Sequence, residues 1–118
     1  MKVYIVCPVR HLTEDVRRRI LEYVATLEAR GNQVRCPFRD TDQSGDGLSI
    51  TVAHEQDILW ADEIHVWWTP ASEGSLWDVA QARMARYFQP EKRIVIINAD
   101  AIHPTPEKSY TNVILRTP

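Results

Sequence analysis

EIHVWWTPASEGSLWDVAQARMARYFQPEKRIVIIN, running from Glu63 to Asn98, contains the pattern on which the fold is read. Glu63 to Trp68 is a short apolar run rich in β-branched and aromatic residues, and Thr69 to Ser75 is a polar loop. From Leu76 to Phe88, Val79, Ala82 and Ala85 recur at helical spacing, and Pro90 closes the helix. Arg93 to Asn98 (RIVIIN) is a second apolar run, of the continuous kind expected of a strand covered on both faces. Strand, helix and strand at these lengths imply parallel pairing through a right-handed crossover.

The same alternation extends towards the N-terminus. Residues 2–9 (KVYIVCPV) read as a buried strand ended by Pro8. Thr13, followed by Glu14 and Asp15, starts a helix whose acidic residues suit the positive end of its dipole. Val16, Ile20, Tyr23, Val24 and Leu27 form its apolar face, Arg17, Arg18 and Arg19 lie on its charged face, and Gly31-Asn32 stops it. Gln33 to Phe38 reads as a second strand, Arg39 to Gly47 as a polar loop and Leu48 to Ala61 as a helix. In the proline-containing tail, Asn112 to Arg116 reads as a short fifth strand. The expectation is a single α/β domain over residues 1–118: a Rossmann-like (flavodoxin-like) three-layer fold with a parallel sheet of four to five strands and helices on both faces. Ligands of such sheets bind outside the carboxyl ends of the strands, which points to residues 8–13, 39–47 and 69–75.

Composition fits this picture. The 118 residues are 44% hydrophobic and 25% charged, with a net charge of −2 that advertises neither nucleic acid nor an anionic membrane as partner. Cys7 and Cys36 stand in or beside strands without a CxxC pair, and read as buried thiols of a reducing compartment. No apolar run approaches membrane-spanning length, so a cytoplasmic protein is expected. The adjacent Trp67 and Trp68 must face opposite sides of a strand.

Four places could carry chemistry. Ser72, Gly74 and Ser75 lead into the third long helix, where open N–H groups and the helix dipole can hold an anion, and Asp78 lies one turn further on. Spacing alone favours a plainer reading, with Ser75 as helix cap and Asp78 as a dipole partner. Arg10 can fork onto a phosphate or carboxylate, or can simply be solvated. Tyr4 either packs in its strand or hydrogen-bonds a carboxylate in the cleft. His54-Glu55-Gln56-Asp57 lacks HExxH spacing and reads as a solvated helix face, with Asp57 of interest only if it turns towards Asp78. The run Asp40 to Asp46 resembles the start of a calcium loop, but Thr51 stands where the bidentate glutamate belongs. No GxxxxGK[ST] or GxGxxG motif is present, so neither ATP hydrolysis nor dinucleotide redox chemistry has support.

Taken together, these pieces resemble the nucleoside 2-deoxyribosyltransferase-like superfamily, and within it the 2′-deoxynucleoside 5′-monophosphate N-glycosidases. The family strand Y-x-x-G-S-I-R is similar to Tyr4 to Arg10, H-E-x-D-x-x-W to His54 to Trp60, and A-D to Ala61-Asp62. S-x-G-x-G-Y-E-L-G-x-A is similar to Ser72 to Ala82. The resemblance implies that Asp78 occupies the place of the glutamate nucleophile and Tyr4 that of the tyrosine steadying it. It puts Asp57 in the place of an aspartate that assists base or sugar, and phosphate contacts on Arg10, Ser72, Gly74 and Ser75. It implies a small-molecule nucleoside or nucleotide as partner, no metal or organic cofactor, and a homodimer whose interface the tryptophan-rich third strand and third helix could supply. The chain departs from the pattern where Asp78 is one methylene shorter than glutamate, where Cys7 and Pro8 replace glycine and serine, and where Leu76 and Ala80 replace glycines. These departures set the alternative, a nucleotide-binding or sensing protein that keeps the cleft and has lost turnover. A flavin-binding protein of the same architecture lacks the Ser/Thr-rich loop that would hold the flavin phosphate after the first strand.

Overall fold

The computed structural model describes residues 1–118. Strands β1 (Lys2–Val6), β2 (Gln33–Arg35), β3 (Glu63–Val66) and β4 (Arg93–Ile96) form one parallel sheet in the order β2-β1-β3-β4. Helix α1 (Glu14–Ala29) links the first two strands; α2 (Pro37–Asp40) and α3 (Gly47–Trp60) lie between β2 and β3, and α4 (Glu73–Ala85) between β3 and β4. A 3₁₀ turn (Ala99–Ala101) and α5 (Tyr110–Leu115) complete the chain. No helix is long and apolar enough to cross a membrane.

Alternation along β1 builds the three layers. Val3, Ile5 and Cys7 project to one face and pack with Ile20, Val24 and Leu27 of α1 and with Val34 and Cys36. Tyr4 and Val6 project to the other and pack with Ile58 of α3, Val79, Ala82 and Ala85 of α4, and Ile114 of α5. Ile64 and Val66 of β3 join this second cluster; truncating a fully buried isoleucine such as Ile64 to alanine costs about 2–5 kcal/mol. Both cysteines are buried free thiols. As the sequence requires, Trp67 packs against the α1 cluster and Trp68 is buried in the opposite one.

Local chemistry sets the helix ends. Thr13 Oγ1 accepts from the Val16 N–H and starts α1. At its other end Gly31 adopts φ 92°, with Gly31 N–H bonded to Glu28 O and Asn32 N–H to Leu27 O, the paired bonds of a Schellman motif. Asp46 Oδ1 accepts from Ser49 N–H and starts α3, while Asp42 closes a turn onto Ser44; these aspartates have local backbone work.

Several expectations are corrected. The second strand ends at Arg35 instead of Phe38, because Pro37 supplies no N–H for a ladder and instead occupies the first helical position of α2, behind an extended Cys36. Asn112 to Arg116 forms no fifth strand: Ser109 Oγ caps α5 by accepting from Asn112 N–H, and Ile114 enters the core from a helix. Helix α4 starts at Glu73, a turn earlier than read, with Ser72 and not Ser75 as its cap. Strand β3 lies between β1 and β4 in the interior of the sheet, so it offers no free edge to a partner subunit.

Candidate active site

Strand order reverses between β1 and β3, and the cleft outside their carboxyl ends is where a ligand of this fold sits. Asn98 holds its rim by accepting from Trp68 N–H at 2.8 Å and donating Nδ2–H to Trp68 O at 2.8 Å. The loop after β1 carries His11 at φ 57°, a left-handed conformation that costs a non-glycine residue energy. Beside it, Arg10 is exposed and makes no ion pair.

Asp78 bonds to Tyr4 from α4, and Asp57 of α3 is near enough for its charge to act on the same tyrosine. Tyr4 is fully buried and donates its hydroxyl to Asp78 Oδ2 at 3.4 Å, a long bond with room to tighten. Burial first, then the charges of Asp78 and Asp57, push the Tyr4 hydroxyl well above its ordinary range, so it stays a neutral donor. Asp78 itself is 6% exposed, on the buried side of α4. Its Oδ1 accepts no hydrogen bond and is not sealed from solvent. One carboxylate oxygen is therefore held and the other is open.

The reading of His54 as part of a solvated helix face is overturned. Its Nδ1 stands 3.3 Å from Asp78 Oδ2, its side chain is only 13% exposed, and its ring lies 6.0 Å from that of Tyr4. His54 Nε2 is buried without a partner. Next to it, Gln81 Nε2–H donates to Glu55 Oε1, so α3 and α4 are tied together beside Asp78. The missed signal was periodicity: His54, Asp57 and Ile58 fall on one helical face, and Ile58 is core. Asp57 is bonded to Arg35 at 2.7 Å, a partner that sequence reasoning did not single out.

At the start of α4 the structure gives a mixed account of the anion site. The Glu73 and Gly74 amides donate to nothing in the chain and point out of the helix start, as an anion would need. Ser72 Oγ already accepts from Ser75 N–H and lies 2.8 Å from Ser75 Oγ, which is buried. A phosphate there would meet the two amides and compete with an existing cap for the hydroxyls. Gly74 has open space where a Cβ would stand, so no close approach demands glycine.

No protein-family profile matches the sequence, and no curated protein matches it. Solved structures do match. The CMP N-glycosidase of Clostridium botulinum superposes with a TM-score of 0.62 at 18% identity, covering 81% of this chain and 67% of that one. The 2-deoxyribosyltransferase of Bacillus psychrosaccharolyticus superposes with a TM-score of 0.61 at 17% identity, covering 97% and 90%. This chain shares the α/β fold of these two proteins.

Proposed function

From a chain with that fold and an open, buried carboxylate at its ligand edge, we propose an enzyme that breaks the N-glycosidic bond of a nucleoside or nucleotide. The half-held Asp78 is the observation that carries this reading. Asp78 Oδ1 attacks the anomeric carbon as the bond from that carbon to the base nitrogen breaks; the base leaves with the electron pair and takes up a proton. Water then adds to the glycosyl ester and releases the sugar, or a second base adds and makes the enzyme a transferase. Tyr4 donates to Oδ2 with His54 Nδ1 beside it at 3.3 Å, which leaves the other oxygen unencumbered. Asp57 assists at the base or sugar in this reading. Every step uses side chains of this chain and needs no cofactor.

A 5′-monophosphate is the proposed form of the substrate, supported by the free Glu73 and Gly74 amides and the unpaired Arg10. A homodimer is also proposed. Supporting it, α4, the turn after it and α5 expose Met84, Tyr87, Tyr110 and Val113 around an apolar cavity of about 300 Å³, and Trp77 is exposed on α4. Sedimentation at micromolar concentration is expected to give twice the chain mass, and a strictly monomeric species would remove the dimer.

Base release from a panel of nucleosides and 5′-monophosphates tests the function. The expected result is release from monophosphates that falls by about 10³-fold or more in Asp78→Asn. Absence of release across the panel, with nucleotide binding retained in calorimetry, would leave a binding or sensing protein in its place.

A further inference from the structure

Arg35 closes β2 in register with Tyr4 of β1, and the flanking Val34 and Cys36 belong to the α1 cluster. Alternation therefore turns Arg35 to the face that carries Tyr4. There its guanidinium carbon lies 4.0 Å over the Trp60 ring while Nη1 is 2.7 Å from Asp57 Oδ1. Asp57 and Trp60 are three residues apart on α3, so ring and carboxylate occupy one helical face and grip the guanidinium from two sides.

Stability does not account for this arrangement. The Arg35 side chain is 44% exposed, and an ion pair that open to solvent adds little to stability. What the contact does is directional. It occupies Oδ1 of a largely buried carboxylate and leaves Oδ2 without a partner and open to solvent. It also balances the charge of Asp57, which shares the surroundings of Tyr4 with a second carboxylate, Asp78.

We propose that Arg35, stacked on Trp60, is a positioning residue that fixes Asp57 through Oδ1 so that Oδ2 meets the substrate. The inference rests on the glycosidase reading above. It makes Arg35 act through Asp57 and never on the substrate directly. Lysine is not an equivalent there, because it cannot stack flat on the indole and bridge to a carboxylate at once.

A double-mutant cycle on the full chain tests it, with kcat and KM for base release measured for wild type, Arg35→Gln, Asp57→Asn and the double variant. Thermal melts run alongside confirm that each protein is folded. Arg35→Gln is expected to lower kcat by about 10- to 100-fold with little change in KM. In the Asp57→Asn background the same change is expected to cost no more than about twofold, since its target is gone. Arg35→Lys recovers only part of the loss. Losses that multiply independently, an effect on KM alone, or an Arg35→Gln enzyme equal to wild type would each overturn the assignment. A wild type that releases no base from any substrate would instead defeat the glycosidase reading, and this inference with it.

Discussion

Each face of the sheet carries a tyrosine, a histidine and a carboxylate in contact, yet the two trios are connected in different orders. On the α1 side, Tyr23 Oη lies 2.5 Å from His65 Nδ1, and His65 Nε2 lies 3.0 Å from Glu63 Oε1. On the other side Tyr4 and His54 both approach Asp78 Oδ2. The ring pairs are nearly alike, 5.7 Å and 51° against 6.0 Å and 48°. The order differs. With histidine in the middle, both ring nitrogens are engaged, Nδ1 with the Tyr23 hydroxyl and Nε2 with Glu63 Oε1, while Arg93 stands 3.6 Å from the other Glu63 oxygen. A histidine bonded at both nitrogens is fixed in place and serves structure. With the carboxylate in the middle, Asp78 keeps one oxygen open and His54 keeps one nitrogen unpartnered. Spare bonding capacity, and not the kinds of residue present, is what singles out the Asp78 trio as the proposed site.

The sharpest way to break this comparison is to neutralise both carboxylates. Asp78→Asn is expected to cost base release about 10³-fold or more, whereas Glu63→Gln leaves kcat within about threefold and lowers unfolding stability by about 1–3 kcal/mol. If Glu63→Gln struck kcat as hard as Asp78→Asn, the α1 trio would be part of the machinery. The tyrosines give a smaller contrast. A hydrogen bond to a charged group contributes about 1.5–3 kcal/mol, so Tyr4→Phe should lower kcat by about 10- to 100-fold. Tyr23→Phe should leave kcat alone and lower stability by about 1 kcal/mol, read by denaturant unfolding. Equal kinetic losses at the two positions would erase the distinction.

Much of this could be read from the residues. The unit from Glu63 to Asn98 carries strand, helix and strand in periodicities with one physical meaning, and Thr13 and Gly31 announce their helix ends through side-chain and φ requirements. Asn112 to Arg116 misled because a short apolar run fits either period, and the deciding signal was the cap at Ser109. Tyr4 and Asp78 were expected together, and the structure brings them together. His54 and Arg35 were not, for different reasons. The face that His54 turns inward depends on where α3 packs, and Arg35 meets Asp57 only through the pairing of β2 with β1. Contacts between elements distant in sequence leave no local trace in composition or spacing.

Alkaline stability supplies the finest contrast between the two faces. Burial is the first cause at both tyrosines; it raises Tyr4 well above the ordinary value of 10.0, and raises Tyr23 to a smaller degree, with the charge of Glu63 second. In the unfolded chain both hydroxyls titrate near 10, so above that pH the unfolded state holds fewer protons than the native one. Native stability is then fully present below pH 10 and is lost as pH rises towards the folded values. Lys92 works in the opposite sense: burial lowers its amine below 10.5, and its contribution to stability rises with pH until that value is passed. Comparing each Phe variant with wild type cancels the lysine, since all three proteins carry it. Denaturant unfolding between pH 8 and about 11 is expected to show Tyr4→Phe reducing the alkaline loss by more than Tyr23→Phe does, the buried Cys7 thiol, also raised, being common to all three proteins. Equal slopes for the two variants would mean that the hydroxyl beside Asp78 is no more enclosed than the one beside His65, and that the α3–α4 face is as wet in solution as the α1 face.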